Sequence, residues 1–236
     1  MRLHIVTHAS FESPAAIRIW AEKRGHAVSH TRLYAGESLP ESVDGFDFLV
    51  VMGGPQSPAT TLAECPHFDA AAEIAFIQKT LFAQKPVLGV CLGAQLLCEA
   101  FGARFGTSPH KEIGVFDITL TAEAQNDPVF STFPDAFPVG HWHGGMPGLS
   151  PDAVGLAKSA GCPRQVVRYS PKAYGFQCHF EFTPTAIEGM IQHAWHELES
   201  GKDLPYVLSA ETLRAQDFGS MNEKLFAFLD FLQTQT

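Results

Sequence analysis

Short apolar and β-branched runs punctuate the first hundred residues. They predict strands at Leu3–Thr7, Val28–Leu33, Phe48–Met52 and Val87–Val90. Three of these runs are nearly continuous, the pattern of strands covered on both faces. The segments between them have helical character. Pro14–Arg24 is predicted as a helix with Ser13 as N-cap and Pro14 at the first helical position. Phe68–Gln84 is Ala-rich with apolar residues at helical spacing, and Leu92–Phe101 follows the fourth strand directly. Alternation of strand and helix predicts a parallel α/β sheet.

The pattern changes after residue 110. Gly114–Leu120, Phe137–Trp142, Ala153–Lys158, Gln165–Tyr169 and Tyr174–Phe180 read as short strands joined by turns, an antiparallel or mixed region. Helices return at Pro184–Glu199 and Glu211–Phe231. The first has Thr183 as N-cap, Pro184 in its first turn, and an apolar face of Ile187, Met190, Ile191 and Trp195. No linker, repeat or Gly/Ser spacer divides the chain, so residues 1–236 are expected to form one domain.

Composition narrows the function classes. A net charge of -9 with no basic run argues against nucleic acid as a partner. No apolar run is long enough to span a bilayer, and the N-terminus lacks the pattern of a secretory leader. The cysteines (Cys65, Cys91, Cys98, Cys162, Cys178) are odd in number and lack Cys-x-x-Cys spacing. Free thiols in a reducing cytoplasm are the expectation. Four of the five read as small buried hydrophobes or incidental thiols.

Cys91 differs, because it lies at a sharp strand-to-helix turn, Gly89-Val90-Cys91-Leu92-Gly93-Ala94-Gln95. A thiol at a helix N-terminus faces unpaired backbone N–H groups that favour thiolate, and Gly89 and Gly93 leave room for neighbouring chain and for a substrate. A buried structural cysteine in a tight turn is the plainer alternative. A nucleophilic thiol needs a base and an orienting acid. His179 and Glu181 sit at i and i+2 at the C-terminal end of the predicted strand Tyr174–Phe180, so continued strand geometry projects both to one face. Gly53 and Gly54 end a buried strand in Met52-Gly53-Gly54-Pro55, where a backbone N–H could serve a developing oxyanion, with the Leu92 amide as second donor. Gly-x-Gly-x-x-Gly and Gly-Lys-Thr/Ser spacings are missing here, which disfavours nucleotide loops. His141 and His143 alternate at a strand end. As a metal pair they lack a third ligand at suitable spacing, so a loop wall lining the cleft or a structural strand end is the better expectation, with no metal and no cofactor.

Together these elements resemble the class I, triad-type glutamine amidotransferases, and most closely their stand-alone, GMP-synthase-like members. The Gly-x-Cys-x-Gly-x-Gln elbow is matched by Gly89, Cys91, Gly93 and Gln95. The Gly-x-Gln-x-His-x-Glu segment is matched by Gly175, Gln177, His179 and Glu181, and the Gly-Gly-Pro loop by Gly53, Gly54 and Pro55. His141-Trp142-His143 and the Ser159, Cys162, Pro163, Gln165 run recur as well. The resemblance implies a flavodoxin-like, mostly parallel sheet with helices on both faces. It implies that Cys91 attacks the γ-carbonyl of glutamine or of a γ-glutamyl compound, with His179 as general base and acid and Glu181 orienting it. Gly54 and Leu92 amides would bind the oxyanion. Gly53, Gln95, His141, Trp142 and His143 would help hold the substrate. The acceptor of the ammonia would lie in a separate synthase subunit.

One position departs from the pattern: Gly145 stands where related members often carry Asp. Two other readings share the chain with the amidotransferase: a self-contained γ-glutamyl peptidase, and a catalytically silent scaffold on the same fold.

Overall fold

The computed structural model describes residues 1–236 and contains one nine-stranded sheet, ordered β2-β1-β3-β4-β9-β8-β7-β5-β6. The strands are β1 (Arg2–Thr7), β2 (Ala27–Arg32), β3 (Phe48–Val51), β4 (Val87–Val90), β5 (Gly106–Leu120), β6 (Ala136–Met146), β7 (Val154–Lys158), β8 (Val166–Ser170) and β9 (Ala173–Phe176). Helices are α1 (Ala15–Lys23), α2 (Ala70–Phe82), α3 (Leu92–Ala100), α4 (Pro184–His193), α5 (Trp195–Gly201), α6 (Ala210–Arg214) and α7 (Gly219–Leu232). β2-β1-β3-β4-β9 is parallel throughout, the flavodoxin-like half. From β9 onward every pairing is antiparallel, so the second-half strands extend the same sheet instead of forming a separate layer.

The near-continuous apolar runs follow from burial on both faces. Leu3, Ile5, Phe48, Val50, Leu88 and Val90 join one core with residues of α1, α4, α5 and α7. Their alternates Val6, Leu49, Val51 and Val87 join a second core with residues of α2 and α3. Helices therefore cover both sides of the parallel half.

Several boundaries differ from the sequence reading. β5 begins at Gly106, because its first half, Gly106–Glu112, is polar, Pro-containing and interrupted by a register shift, and so carries no apolar alternation. The strand expected over Tyr174–Phe180 ends at Phe176. Beyond it the chain crosses to β6, where His179 and Gly140 exchange both backbone hydrogen bonds, at 2.7 and 2.9 Å. The helix expected over Pro184–Glu199 breaks at Ala194, and the reset phase leaves Trp195 49% exposed. The helix expected over Glu211–Phe231 is α6 and α7, with the Asp217 carboxylate accepting from the Gly219 N–H between them. Thr183 caps α4 as expected, accepting from the Ala186 N–H. Ser13 does not cap α1: the N-cap is Pro14, and the first-turn N–H of Ala16 donates to the Glu181 carbonyl at 3.0 Å. No helix is long and apolar enough to cross a membrane.

Candidate functional site

The site assembles at the C-terminal ends of β1, β3, β4 and β9, where open α/β sheets leave a crevice. Cys91 bridges β4 and α3 with φ 52° and ψ -108°, a conformation that L-residues rarely adopt. Its N–H donates to the Phe176 carbonyl at 2.7 Å, tying the elbow to β9. The flanking glycines act in packing: a Cβ on Gly93 would collide with the Val51 carbonyl, and one on Gly89 with the Gly93 backbone. They seat α3 against the sheet, so their role is toward neighbouring chain and not toward a substrate.

Cys91 and His179 come together from segments far apart in sequence. The thiol donates weakly to the Trp142 carbonyl at 3.8 Å and receives the Gln177 side-chain amide at 3.5 Å. His179 is 2% exposed, its Nδ1 lies 2.6 Å from Glu181 Oε1, and its ring stacks on Phe182. Its Nε2 is buried with no hydrogen-bond partner of good geometry in the protein. Burial opposes the imidazolium, but Glu181 and the neighbouring Cys91 outweigh it and raise its pKa well above the ordinary histidine value. Burial pushes the Cys91 thiol up, while His179 and the Leu92 amide pull it back. Burial thus outweighs the helix N-terminus at Cys91, and the thiolate depends on His179. The i, i+2 pairing of His179 and Glu181 holds, although the segment carrying them is a crossing between strands.

The expected oxyanion donors lie on the Gly53-Gly54 peptide and at the start of α3. Leu92 lies in the first turn, where its N–H has no intrahelical acceptor. The Gly53 carbonyl is held by His8 Nδ1 at 2.9 Å, and His8 Nε2 meets Glu73 Oε2 at 2.7 Å. Carbonyl and N–H of a trans peptide point in opposite directions, so fixing the Gly53 oxygen turns the Gly54 N–H the other way. Both His8 contacts are to acceptors, which makes the ring an imidazolium. Burial opposes that charge, but Glu73 and the Gly53 carbonyl outweigh it and raise the His8 pKa. His8 and Glu73 have no motif signal; only the pairing of distant elements exposes them.

A cleft of about 190 Å³ opens over Cys91, lined among others by Gly54, Gln95, Trp142, His143, Gly145 and two acids, Glu12 and Glu197. The Gln95 amide donates to Gln177 Oε1 at 3.1 Å, so it is partly engaged within the protein. A Cβ on Gly145 would lie 2.7 Å from Gln95 Nε2, so Gly145 leaves that space to Gln95. Glu197 is occupied by Lys111 at 2.5 Å and by the Trp142 indole at 3.3 Å.

His141 is a correction. It is fully buried, its Nε2 reaches the Phe116 carbonyl at 3.3 Å, and it lies outside the cleft lining. Burial first, and His143 second, push its pKa down to about 3, so it is neutral. The missing third ligand is a second correction: Glu112 of β5 joins His141 and His143, with ligand atoms all within 4.8 Å. That carboxylate already accepts from Ser159 at 2.7 and 3.0 Å and from Gln165 at 2.7 Å, with His143 at 3.3 Å. Burial would raise its pKa, but hydrogen bonds from His143 and Ser159 hold it below the ordinary value. The cluster is a hydrogen-bonded network bracing the cleft wall. The distance between β5 and β6 in sequence hid Glu112 from a spacing argument.

The family model "Glutamine amidotransferase class-I" matches residues 19–195. A glutamine amidotransferase-like protein of Salmonella typhimurium, YfeJ, is 51% identical over 98% of this chain and 97% of its own length. The solved structure of SMU.1228c aligns at TM-score 0.96 with 47% identity, covering 99% of this chain and 100% of that one. A glutamine amidotransferase of Thermotoga maritima, 22% identical, aligns at TM-score 0.86 over 98% of this chain and 97% of its own, a likeness of fold. With a family model covering most of its length and a close relative matched end to end, the chain belongs to the class I glutamine amidotransferase family.

Proposed function

We propose that this protein hydrolyses the γ-amide of glutamine, or a γ-glutamyl amide, through a thioester on Cys91. One observation carries the reading: a strained, buried Cys91 beside a His179 whose far nitrogen is fixed by Glu181 and whose near nitrogen has no protein partner. His179 takes the thiol proton as Cys91 attacks the γ-carbonyl, then delivers a proton to the departing nitrogen. The Gly54 and Leu92 N–H groups receive the oxyanion, and the His8–Gly53 bond presets the first of them. Water, activated by His179, releases glutamate and restores the thiol. Gln95, Trp142, His143 and the Gly53–Gly54 backbone supply the walls that hold the γ-glutamyl chain, with His141 bracing His143 from behind.

The family supports ammonia transfer to a separate synthase subunit. The five cysteines, all free, support a reducing compartment and hence the cytoplasm. No step calls on a cofactor. The test is product analysis with glutamine and a panel of γ-glutamyl compounds, with Cys91→Ala as control. Glutamate release by the native chain and none by the variant is expected. Failure of Cys91 to react with a glutamine-like diazo-ketone, together with unchanged activity in Cys91→Ala, would refute the reading.

A further inference from the structure

Glu12 lies in the Ser10–Pro14 segment between β1 and α1. Its carboxylate sits against the Gly53 Cα, where a Cβ would collide with it and would also lie 3.3 Å from the Cys91 Cβ. It lines the Cys91 cleft and also the neighbouring cavity floored by His179, Glu181 and Met52. The other acid of the cleft, Glu197, is ion-paired with Lys111 and accepts a hydrogen bond from the Trp142 indole. No protein group donates a hydrogen bond to Glu12, and its ion-pair partners are likewise wanting. Desolvation raises its pKa to about 7, and the charge acting on it most strongly is that of His179.

His179 Nε2 is the atom that protonates the departing nitrogen, so the nitrogen must pass beside it. Glu12 is therefore on the leaving-group side of the scissile bond. An unpaired, half-buried carboxylate in a cleft favours a cation or N–H donor within a few ångströms and repels another carboxylate. Resting on the amide-hydrolase reading above, we propose that Glu12 forms an acidic leaving-group subsite. It selects γ-glutamyl amides whose departing amine carries a positive charge, and it disfavours those whose departing amine carries a carboxylate.

The chemistry balances without a further reactant. The Cys91 sulfur bonds to the γ-carbon, the C–N bond breaks, and the nitrogen leaves with the proton that His179 took from the thiol. Water then cleaves the thioester, giving glutamate and the free thiol. Glu12 takes no proton in the sequence; it holds the departing amine by charge.

The test compares kcat/KM for three amides of matched length: γ-glutamyl aminoethylamide (cationic), γ-glutamyl propylamide (neutral) and γ-glutamylglycine (anionic). In the native chain the order should be cationic, neutral, anionic, with the ends separated by about tenfold or more. In Glu12→Gln the spread should collapse toward unity, and Glu12→Ala should do the same. Because Glu12 makes no hydrogen bond to the protein, neither change removes a contact on which the fold rests; diazo-ketone labelling of Cys91 reports that the site is assembled. Turnover with no charge order in the native chain, or an order that survives in both variants, overturns the inference alone. No turnover of these amides or of glutamine by a protein that still labels at Cys91 overturns the amide-hydrolase reading and the inference with it.

Discussion

Replacing Cys91 by glycine should make the protein more stable than replacing it by alanine. Cys91 is held at φ 52°, ψ -108°. Holding an L-residue there costs roughly 1–3 kcal/mol, and a glycine is nearly free of it. Against this, glycine gains about 0.5–1 kcal/mol of unfolded-chain entropy relative to alanine. The difference leaves Cys91→Gly ahead of Cys91→Ala by about 1 kcal/mol. For a chain of this size that is a rise in Tm of roughly 2–4 °C. Both variants lack the thiol, so its desolvation and its coupling to His179 cancel from the comparison. Thermal unfolding of the two variants, with urea unfolding as a second measure, checks the value. A Cys91→Gly protein that melts at or below Cys91→Ala would refute the claim that the elbow stores strain for the nucleophile.

Four further outcomes are expected. Glu181→Gln removes the charge that holds the His179 pKa up, so that pKa should fall, read from the pH profile, and kcat/KM should drop by roughly a hundredfold or more. His8→Gln releases the Gly53 carbonyl; kcat should fall by about tenfold or more with KM little changed, the signature of a transition-state donor. Glu112→Ala strips the acceptor from half-buried Ser159 and buried Gln165, and urea unfolding should show a loss of about 3 kcal/mol. Glu12 faces His179, His8, Glu181 and Glu197, and its carboxyl is protonated below about pH 7. The preference for a cationic leaving group should therefore grow as pH rises through that value, and should stay flat in Glu12→Gln, measured as the ratio of kcat/KM for the cationic and neutral amides.

Local sequence carried the parallel half of the fold because strands buried on both faces must be apolar at every position, as Phe48–Val51 and Val87–Val90 are. Hydrogen bonding across distant segments is invisible to such patterns. The polar first half of β5 therefore passed unread, and the end of β9 at Phe176 was set by the bridge from His179 to Gly140. Among site residues, Cys91, His179 and Glu181 were legible because the chemistry demands fixed neighbours: glycines beside the elbow, and a carboxylate two residues from the imidazole. His141 was misplaced for the reverse reason. Alternation puts His141 and His143 on the same side, but a neighbour from β5 decides what each ring meets.

By itself, then, the sequence determined the elements of the parallel sheet, the elbow cysteine and the paired imidazole and carboxylate, because each is encoded within a few residues. The tertiary structure alone decided which groups surround them. Packing of the β1–α1 segment over Gly53 set Glu12 beside Cys91. Contact of α2 with the end of β1 joined Glu73 to His8 and so oriented the Gly53–Gly54 peptide. Charges that meet across dozens of residues act through distance in space, and distance in space is what a linear pattern does not hold.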